Sequence, residues 1–422
     1  NQHLGGHLRY HVQPLPQTAL PGKYSEPSGS QRGFQIARRL AKQVKNQANI
    51  TTMLNTTAFG GYADQLLGLV QGQRLIKLRT QALIVATGRI AQPWVFQKND
   101  LPGIFLGDGG RRLLHLYEGK TGERAVVLTA SNHGWEIANE LLQSGIEVAA
   151  VVDSRATLPE NELLTSLQSA GVPIKRGWGP EKATGNQHLS GVVIKQRGES
   201  AAEQALHIPC DTLIVAGGYA ADHTLLYQQG VDITYDPQVE DFLPQVYPEG
   251  VRGAGHAAGI RESRAVMLDG QLQGLETAQQ LGHTTDDQER QELNAQLAAL
   301  KGKQPARTKA APDPSRTSRG KKQFVCFCED VTRQDIRHAV NEGFNDIQTL
   351  KRYSTISMGP TQGKLCSVNT FYLLADMTDR SIAETGTTTS RPPTSPVKLG
   401  LLAGRKLEPV RRTPMHQAHQ QL

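Results

Sequence analysis

The chain has 422 residues, 38% hydrophobic and 20% charged, enough to bury the cores of about three domains of ~150 residues. It holds no run of ~18 apolar residues that would cross a membrane and no basic–apolar–small leader. Its four cysteines argue against a disulfide-stapled scaffold and for a reducing, cytoplasmic setting. The net charge of +7 is local: residues 301–322 carry eight basic side chains against one acid, Asp313. That stretch is rich in Pro, Ser and Thr and lacks the aromatic partners of a nucleic-acid tail, so it reads as a solvated linker.

Residues 32–48 place Ile36, Leu40 and Val44 on one helical face. Strands are expected at 50–55 and 74–78. A dense apolar run follows at 82–86, stopped by Thr87 and Gly88, as in a strand buried on both faces. Residues 124–153 read as a βαβ unit. A strand at 125–128 leads through a turn at 129–134 into a helix with Trp135, Ala138, Leu141 and Leu142 on one face. Gly145 caps that helix, and a second apolar strand ends at Asp153. Residues 212–218 echo 82–88. Two such strands bracketing a βαβ unit suggest one nucleotide-type domain inserted into another. Residues 251–260 give a glycine turn before a helix, and Leu293, Leu297 and Leu300 stripe a polar helix at 286–300. Beyond the linker, 323–380 reads as a compact helical unit opened by a capping box on Thr332 and Asp335. The chain from 385 onward looks irregular.

Two constellations carry chemistry. A dinucleotide fingerprint sets glycine at three positions of its turn. Here Thr129 and Ser131 hold the first two and Gly134 the third. Asp153, 19 residues after Gly134, stands where an acid would hold a ribose hydroxyl. The helix start offers N–H groups and a positive dipole end. The expectation is a weakened NAD site on Ser131, Gly134 and Asp153; the alternative is a retained fold that binds nothing. His133, in the turn, reads as a surface histidine, with a phosphate contact as the alternative. The second constellation is Cys326 and Cys328 as C-x-C, whose side chains share a strand face, with Cys366 further on. Thiolates suit iron–sulfur clusters or zinc, although a cluster wants four ligands. Buried structural thiols are the other reading. No C-x-x-C exists, which removes the dithiol of a disulfide reductase.

The C-x-C with the 357–366 segment resembles the BFD-like two-iron, two-sulfur module in the alpha subunits of amine and opine oxidases. Thr361 falls at the third ligand position. Segments 94–104, 122–128, 145–155, 342–347, 350–359 and 387–397 are similar to the alpha subunit of heterotetrameric sarcosine oxidase. The opening Leu4–Arg9 resembles the stretch after that family's second flavin-domain strand, and 411–416 the entry to its folate-binding aminomethyltransferase domain. The resemblance implies an α/β, FAD/NAD(P)-binding two-dinucleotide-domain fold with an inserted Rossmann-like domain and a small helical BFD-like domain. The implied boundaries are 1–95 and 209–283 for the two flavoprotein-type parts and 96–208 for the inserted NAD-type domain. Helix and linker then fill 284–322, the BFD-like [2Fe–2S] domain 323–380, and an irregular tail 381–422.

By the same resemblance, the chain is an NAD-binding scaffold and electron-relay subunit. It would share FMN or FAD with a beta-type flavoprotein subunit that oxidises a secondary amine. Cys326, Cys328 and Cys366 would hold a [2Fe–2S] cluster. Thr87, Gly88, Gly253, Gly255, Lys351 and Arg352 would contribute to cofactor contacts, the last two having helix-surface charges as their plainer reading. The complex would be a hetero-oligomer without nucleic acid or membrane. Two alternatives stand beside it: a truncated, non-catalytic paralogue that keeps the fold and subunit interface, and a standalone NAD(P)H-dependent flavoprotein.

Overall fold

The computed structural model describes residues 14–15, 31–196, 204–301, 322–403 and 412–422. The expectations for the stretch Leu4–Arg9 and for the basic linker at 302–321 lie outside the described residues.

The first helix, Gly33–Lys45, buries Ile36 and Ala37. The strand expected at 50–55 is turn and coil instead, ending in Asn55 at a left-handed φ of 54°, which an extended strand does not contain. The sheet starts one residue later, as a three-stranded antiparallel meander of Thr56–Tyr62, Leu66–Gln71 and Arg74–Arg79. Glycines interrupt the apolar pattern of its first strand for a packing reason. A Cβ on Gly60 would stand 2.8 Å from Pro392, and one on Gly61 2.7 Å from Gln229. Leu83–Val85 then pairs in parallel with Val251–Gly253.

The inserted unit is a five-stranded parallel sheet. Its order is Ile174–Arg176, Glu147–Asp153, Arg124–Thr129, Thr212–Ala216, Ile104–Leu106. Alternate residues of Arg124–Thr129 serve two cores. Val126 and Leu128 join Trp94, Phe96 and Ile194 on one face, while Ala125 and Val127 join Trp135, Ile137 and Leu141 on the other. The first of these faces is covered by a small antiparallel sheet of Trp178–Gly185, Leu189–Gln196 and Ala205–Pro209.

The boundary drawn at 209 needs correction. Thr212–Ala216 is hydrogen-bonded on both sides within the inserted sheet and does not belong to the returning flavoprotein-type part. All five of its residues are buried. The echo with 82–86 reflects double-sided burial, a property that does not reveal which sheet a strand joins. The crossing between the two units is instead made by Arg89–Ala91 and Tyr219–Ala221, paired antiparallel.

Helices Ser263–Gln280 and Asp287–Lys301 pack through Leu268, Leu272, Leu293 and Leu297. In the C-terminal unit a short hairpin, Phe324–Cys326 with Val331–Thr332, leads into helices Arg333–Asn341, Ile347–Ser354 and Ser367–Thr378. The capping box on Thr332 and Asp335 is present. This unit shares its core with Val95 and Phe242 of the main body. Among the described residues no helix is long and apolar enough to cross a membrane.

Candidate functional site: a nucleotide crevice and a cysteine loop

In a sheet of this order the crevice for a ligand opens at the carboxyl ends of the strands where the order reverses, here between Arg124–Thr129 and Thr212–Ala216. The helix Asn132–Gln143 starts at that point. Gly134 is required there: a Cβ would lie 2.3 Å from the Thr129 Cβ, so only glycine lets helix and strand approach. The Thr129 hydroxyl fills the turn that glycine would have left open. It donates to the Ser131 carbonyl at 2.8 Å and accepts from the Ser131 N–H at 3.0 Å. The Ser131 side chain makes no cap hydrogen bond to the start of the helix.

Asp153 lies fully buried at the end of its strand. Its Oδ1 accepts from the Arg155 backbone N–H and Nε, each at 3.0 Å. Its Oδ2 accepts from Arg155 Nη2 at 2.7 Å and Trp135 Nε1 at 3.0 Å. The guanidinium stacks over Trp135, 4.6 Å from the ring centroid, and its Nη1 donates to Asn132 Oδ1 at 2.9 Å. The acceptor expected at this position is therefore consumed by protein donors, three of the four on Arg155.

His133 is not a surface histidine. Its side chain is 16% exposed and knits three elements together. Nε2 lies 2.6 Å from the Tyr219 hydroxyl, which donates to Asp108 Oδ1 at 2.9 Å, while Nδ1 faces Glu136 at 3.3 Å. Arg89 stacks on the Tyr219 ring at 3.7 Å. Burial works to raise the Asp108 carboxyl, but His133 and the Tyr219 hydroxyl bring it down to about 2. Burial also works against the His133 imidazolium, and its bonds to Asp108 and Glu136 prevail and raise its pKa. Behind this network Arg111 grips Glu140 with Nε at 2.8 Å and Nη2 at 2.6 Å, and His115 Nε2 joins at 2.9 Å. Nothing in the sequence joined Asp108, His133 and Tyr219, which lie on separate elements; only the i,i+3 spacing of His133 and Glu136 was visible.

The remaining expected cofactor residues do not gather around this crevice. The Thr87 hydroxyl donates to the Asp222 carbonyl, and the Asp222 N–H to the Gly88 carbonyl at 3.0 Å, which ties the two crossing segments together. Gly255 has a positive φ of 62°, and its N–H donates to the buried Asp269 at 2.7 Å. A Cβ on Gly253 would meet the Tyr247 hydroxyl at 2.8 Å. Lys351 spends its ammonium on the Thr389 carbonyl at 3.0 Å, and burial lowers its pKa. Arg352 is exposed.

In the cysteine loop the four expected ligand positions fall into two pairs. The Cys366 thiol hydrogen-bonds to the Cys326 sulfur. That bond, helped by backbone N–H groups against the effect of burial, pulls Cys326 down to about 6, and the same bond together with burial pushes Cys366 up. Cys328 Sγ lies 3.3 Å from the Thr361 hydroxyl. This donor set does not fit a [2Fe–2S] cluster, because a hard hydroxyl stands where a fourth thiolate is wanted. Among the described residues, moreover, no three His, Cys, Asp or Glu side chains group closely enough to hold a metal ion. Cys326, Cys328 and Cys366 therefore stand as one hydrogen-bonded thiol pair and a third thiol facing Thr361. Cys210 is buried in the inserted unit's core, which pushes its thiol up to about 12.

Comparison with known proteins agrees with this architecture. The pyridine nucleotide-disulphide oxidoreductase model matches residues 5–280, and the sarcosine oxidase A3 domain matches residues 320–405. Sarcosine oxidase subunit alpha of Rhizobium meliloti is 28% identical over 403 residues, covering 90% of this chain and 38% of that protein. The chain thus spans about two fifths of that relative's length. Hydrogen cyanide synthase subunit HcnB of Pseudomonas aeruginosa is 28% identical over 356 residues, 75% of each protein. The crystal structure of L-proline dehydrogenase from P. horikoshii superposes with a TM-score of 0.70 over 92% of this chain and 72% of that one; at 21% identity it shows a shared fold. With well over half its length matched, the chain belongs to the pyridine nucleotide-disulphide oxidoreductase family, and it is similar to sarcosine oxidase alpha subunits over most of its length.

Proposed function

We infer that this chain is the alpha-type, nucleotide-holding subunit of a multisubunit oxidoreductase acting on a secondary amine, beside a beta-type flavoprotein subunit. The observation that carries the reading is the switch-point crevice. Its helix start has no side-chain cap and is held against the strand by a glycine that nothing larger can replace. The sarcosine oxidase and hydrogen cyanide synthase relatives are both enzyme subunits, which supports a partnered protein.

In this role the first turn of Asn132–Gln143 receives a pyrophosphate, and Arg155, held in place by Asp153, meets the ribose end. A nicotinamide or flavin cofactor so held would supply hydride or electron transfer. Electron transfer in this role involves no iron–sulfur relay, because Thr361 offers no thiolate beside Cys328. That same residue favours the second reading, a non-catalytic paralogue that keeps the fold and the subunit interface.

Co-expression with the beta subunit of a sarcosine oxidase tests the proposal. A complex that copurifies and bleaches its flavin on addition of a secondary amine supports the first reading. A complex without amine-dependent bleaching supports the second, and a chain that neither pairs nor retains nucleotide sinks both.

A further inference from the structure

We propose that Cys326 and Cys366 form a redox site, a dithiol that hydrogen peroxide oxidises to a disulfide within the chain. The site is independent of the nucleotide crevice and belongs to the loop whose donor set does not fit a cluster.

The two cysteines come from elements far apart in sequence, the end of strand Phe324–Cys326 and the N-terminal cap of helix Ser367–Thr378. No local C-x-x-C spacing could have revealed them. Both lie in one core, 2% and 1% exposed. Ser357 shows how closely their sulfurs meet. Its backbone N–H reaches both, and its hydroxyl lies 3.6 Å from the Cys366 sulfur. Ser357 is itself buried and holds a left-handed φ of 66°, a conformation costly for any residue but glycine. The loop bears that cost with its polar groups set on the two sulfurs.

The sulfurs are served unequally. Cys326 accepts from the backbone N–H groups of Cys328, Glu329 and Ser357 and from the Cys366 S–H. A neutral thiol is a weak acceptor, so four donors on one sulfur suit a thiolate. Cys366, whose proton turns toward Cys326, stays a thiol. A nucleophilic thiolate in contact with a second thiol is the pair that disulfide formation requires.

In the first step the Cys326 thiolate attacks one peroxide oxygen. The S–O bond forms, the O–O bond breaks, and hydroxide leaves to take a proton from solvent. The Cys366 sulfur then attacks the Cys326 sulfenic acid. The S–S bond forms, the S–O bond breaks, and the Cys366 proton departs with the hydroxyl as water. The two thiols give up two electrons, and the peroxide becomes two waters. Burial of both sulfurs favours an oxidant this small over a glutathione-sized disulfide.

The test treats the full chain, stripped of metal with a chelator, with stoichiometric hydrogen peroxide. Thiols are counted after denaturation and the tryptic peptides mapped by mass. The expected result is loss of two of the four thiols, returned by dithiothreitol, with peptide 323–333 linked to peptide 365–380. Cys328→Ser is expected to keep the link, which assigns it to Cys326. Cys366→Ser is expected to lose the link and to leave a sulfenic acid on Cys326 that dimedone labels. Should Cys366→Ser fail to fold, the peptide maps of the parent and of Cys328→Ser decide. Four surviving thiols, a link that needs Cys328, a link between chains, or iron still held after the chelator each overturn the proposal.

Discussion

At the switch point the substituted residues close on one another without blocking the helix end. The Thr129 hydroxyl satisfies the Ser131 backbone, Arg155 satisfies Asp153, and no side chain caps Asn132–Gln143. In the C-terminal unit one substitution has the opposite effect. Thr361 sits 3.3 Å from Cys328 while Cys326 and Cys366 pair with each other, which leaves one thiol pair and one thiol facing a hydroxyl, and no ligand set. The difference lies in what each site is made of. A nucleotide crevice is built from backbone ends and a helix dipole, which survive changes of side chain. A metal site is its donor list, and one hard hydroxyl among soft thiolates ends it.

The sharpest break in that comparison would come from Thr361→Cys. Its side chain takes the position beside Cys328, so that the loop would carry four thiols, the Cys326–Cys366 pair and a new pair with Cys328. We expect an all-or-none gain: iron and sulfide retained after anaerobic reconstitution of the variant and lost from the parent on desalting. A variant that stays iron-free would show that the loop, and not only the donor list, has changed.

The next largest effect concerns the base of the crevice. Arg111 and Glu140 are 2% and 0% exposed and tie helix Gly107–Leu116 to Asn132–Gln143. Arg111→Met leaves a buried carboxylate with His115 as its remaining cation partner, at a cost of about 3–5 kcal/mol. The urea midpoint should fall accordingly. The double variant Arg111→Met, Glu140→Met should recover most of the loss, since a buried pair exchanged for apolar groups is close to neutral. A single variant as stable as the parent would mean that the crevice stands on packing alone.

Much of this was legible in the sequence, for physical reasons specific to each element. The βαβ unit showed itself because its strands are buried on both faces and its helix on one, which produces runs and stripes. Gly145 and the Thr332–Asp335 box showed themselves because caps are local. The strand Thr56–Tyr62 was hidden by glycines that Pro392 and Gln229 require, two contacts more than 160 residues away in sequence. Thr212–Ala216 was seen as a strand but placed in the wrong sheet, since burial does not encode pairing. The position of Asp153 was legible and its commitment was not. That commitment depends on Arg155, two residues on, folding back over Trp135.

The smallest effect asks whether the crevice, unlike the cysteine loop, is tuned by protonation. His133 faces Asp108 and Glu136, with Tyr219 bridging and Arg111 nearby. Its pKa is raised above the ordinary value. The stability it contributes is therefore fully present below about pH 6.5, the unfolded value, and is lost as pH rises through the higher folded one. Asp108 runs the other way. Held down at about 2, its contribution is present above the unfolded carboxylate value near pH 4 and disappears only in strong acid. An alkaline decline therefore cannot come from Asp108. His133→Gln keeps one hydrogen-bonding amide but no titrating charge, so its unfolding free energy from urea titration should be lower than the parent's at about pH 6 by the worth of a charged hydrogen bond, about 1.5–3 kcal/mol. The two curves should converge as pH rises past the His133 transition, since the parent then also holds a neutral side chain there. Parallel curves across the whole range would place the alkaline sensitivity elsewhere and reduce the His133–Tyr219–Asp108 bridge to a structural tie.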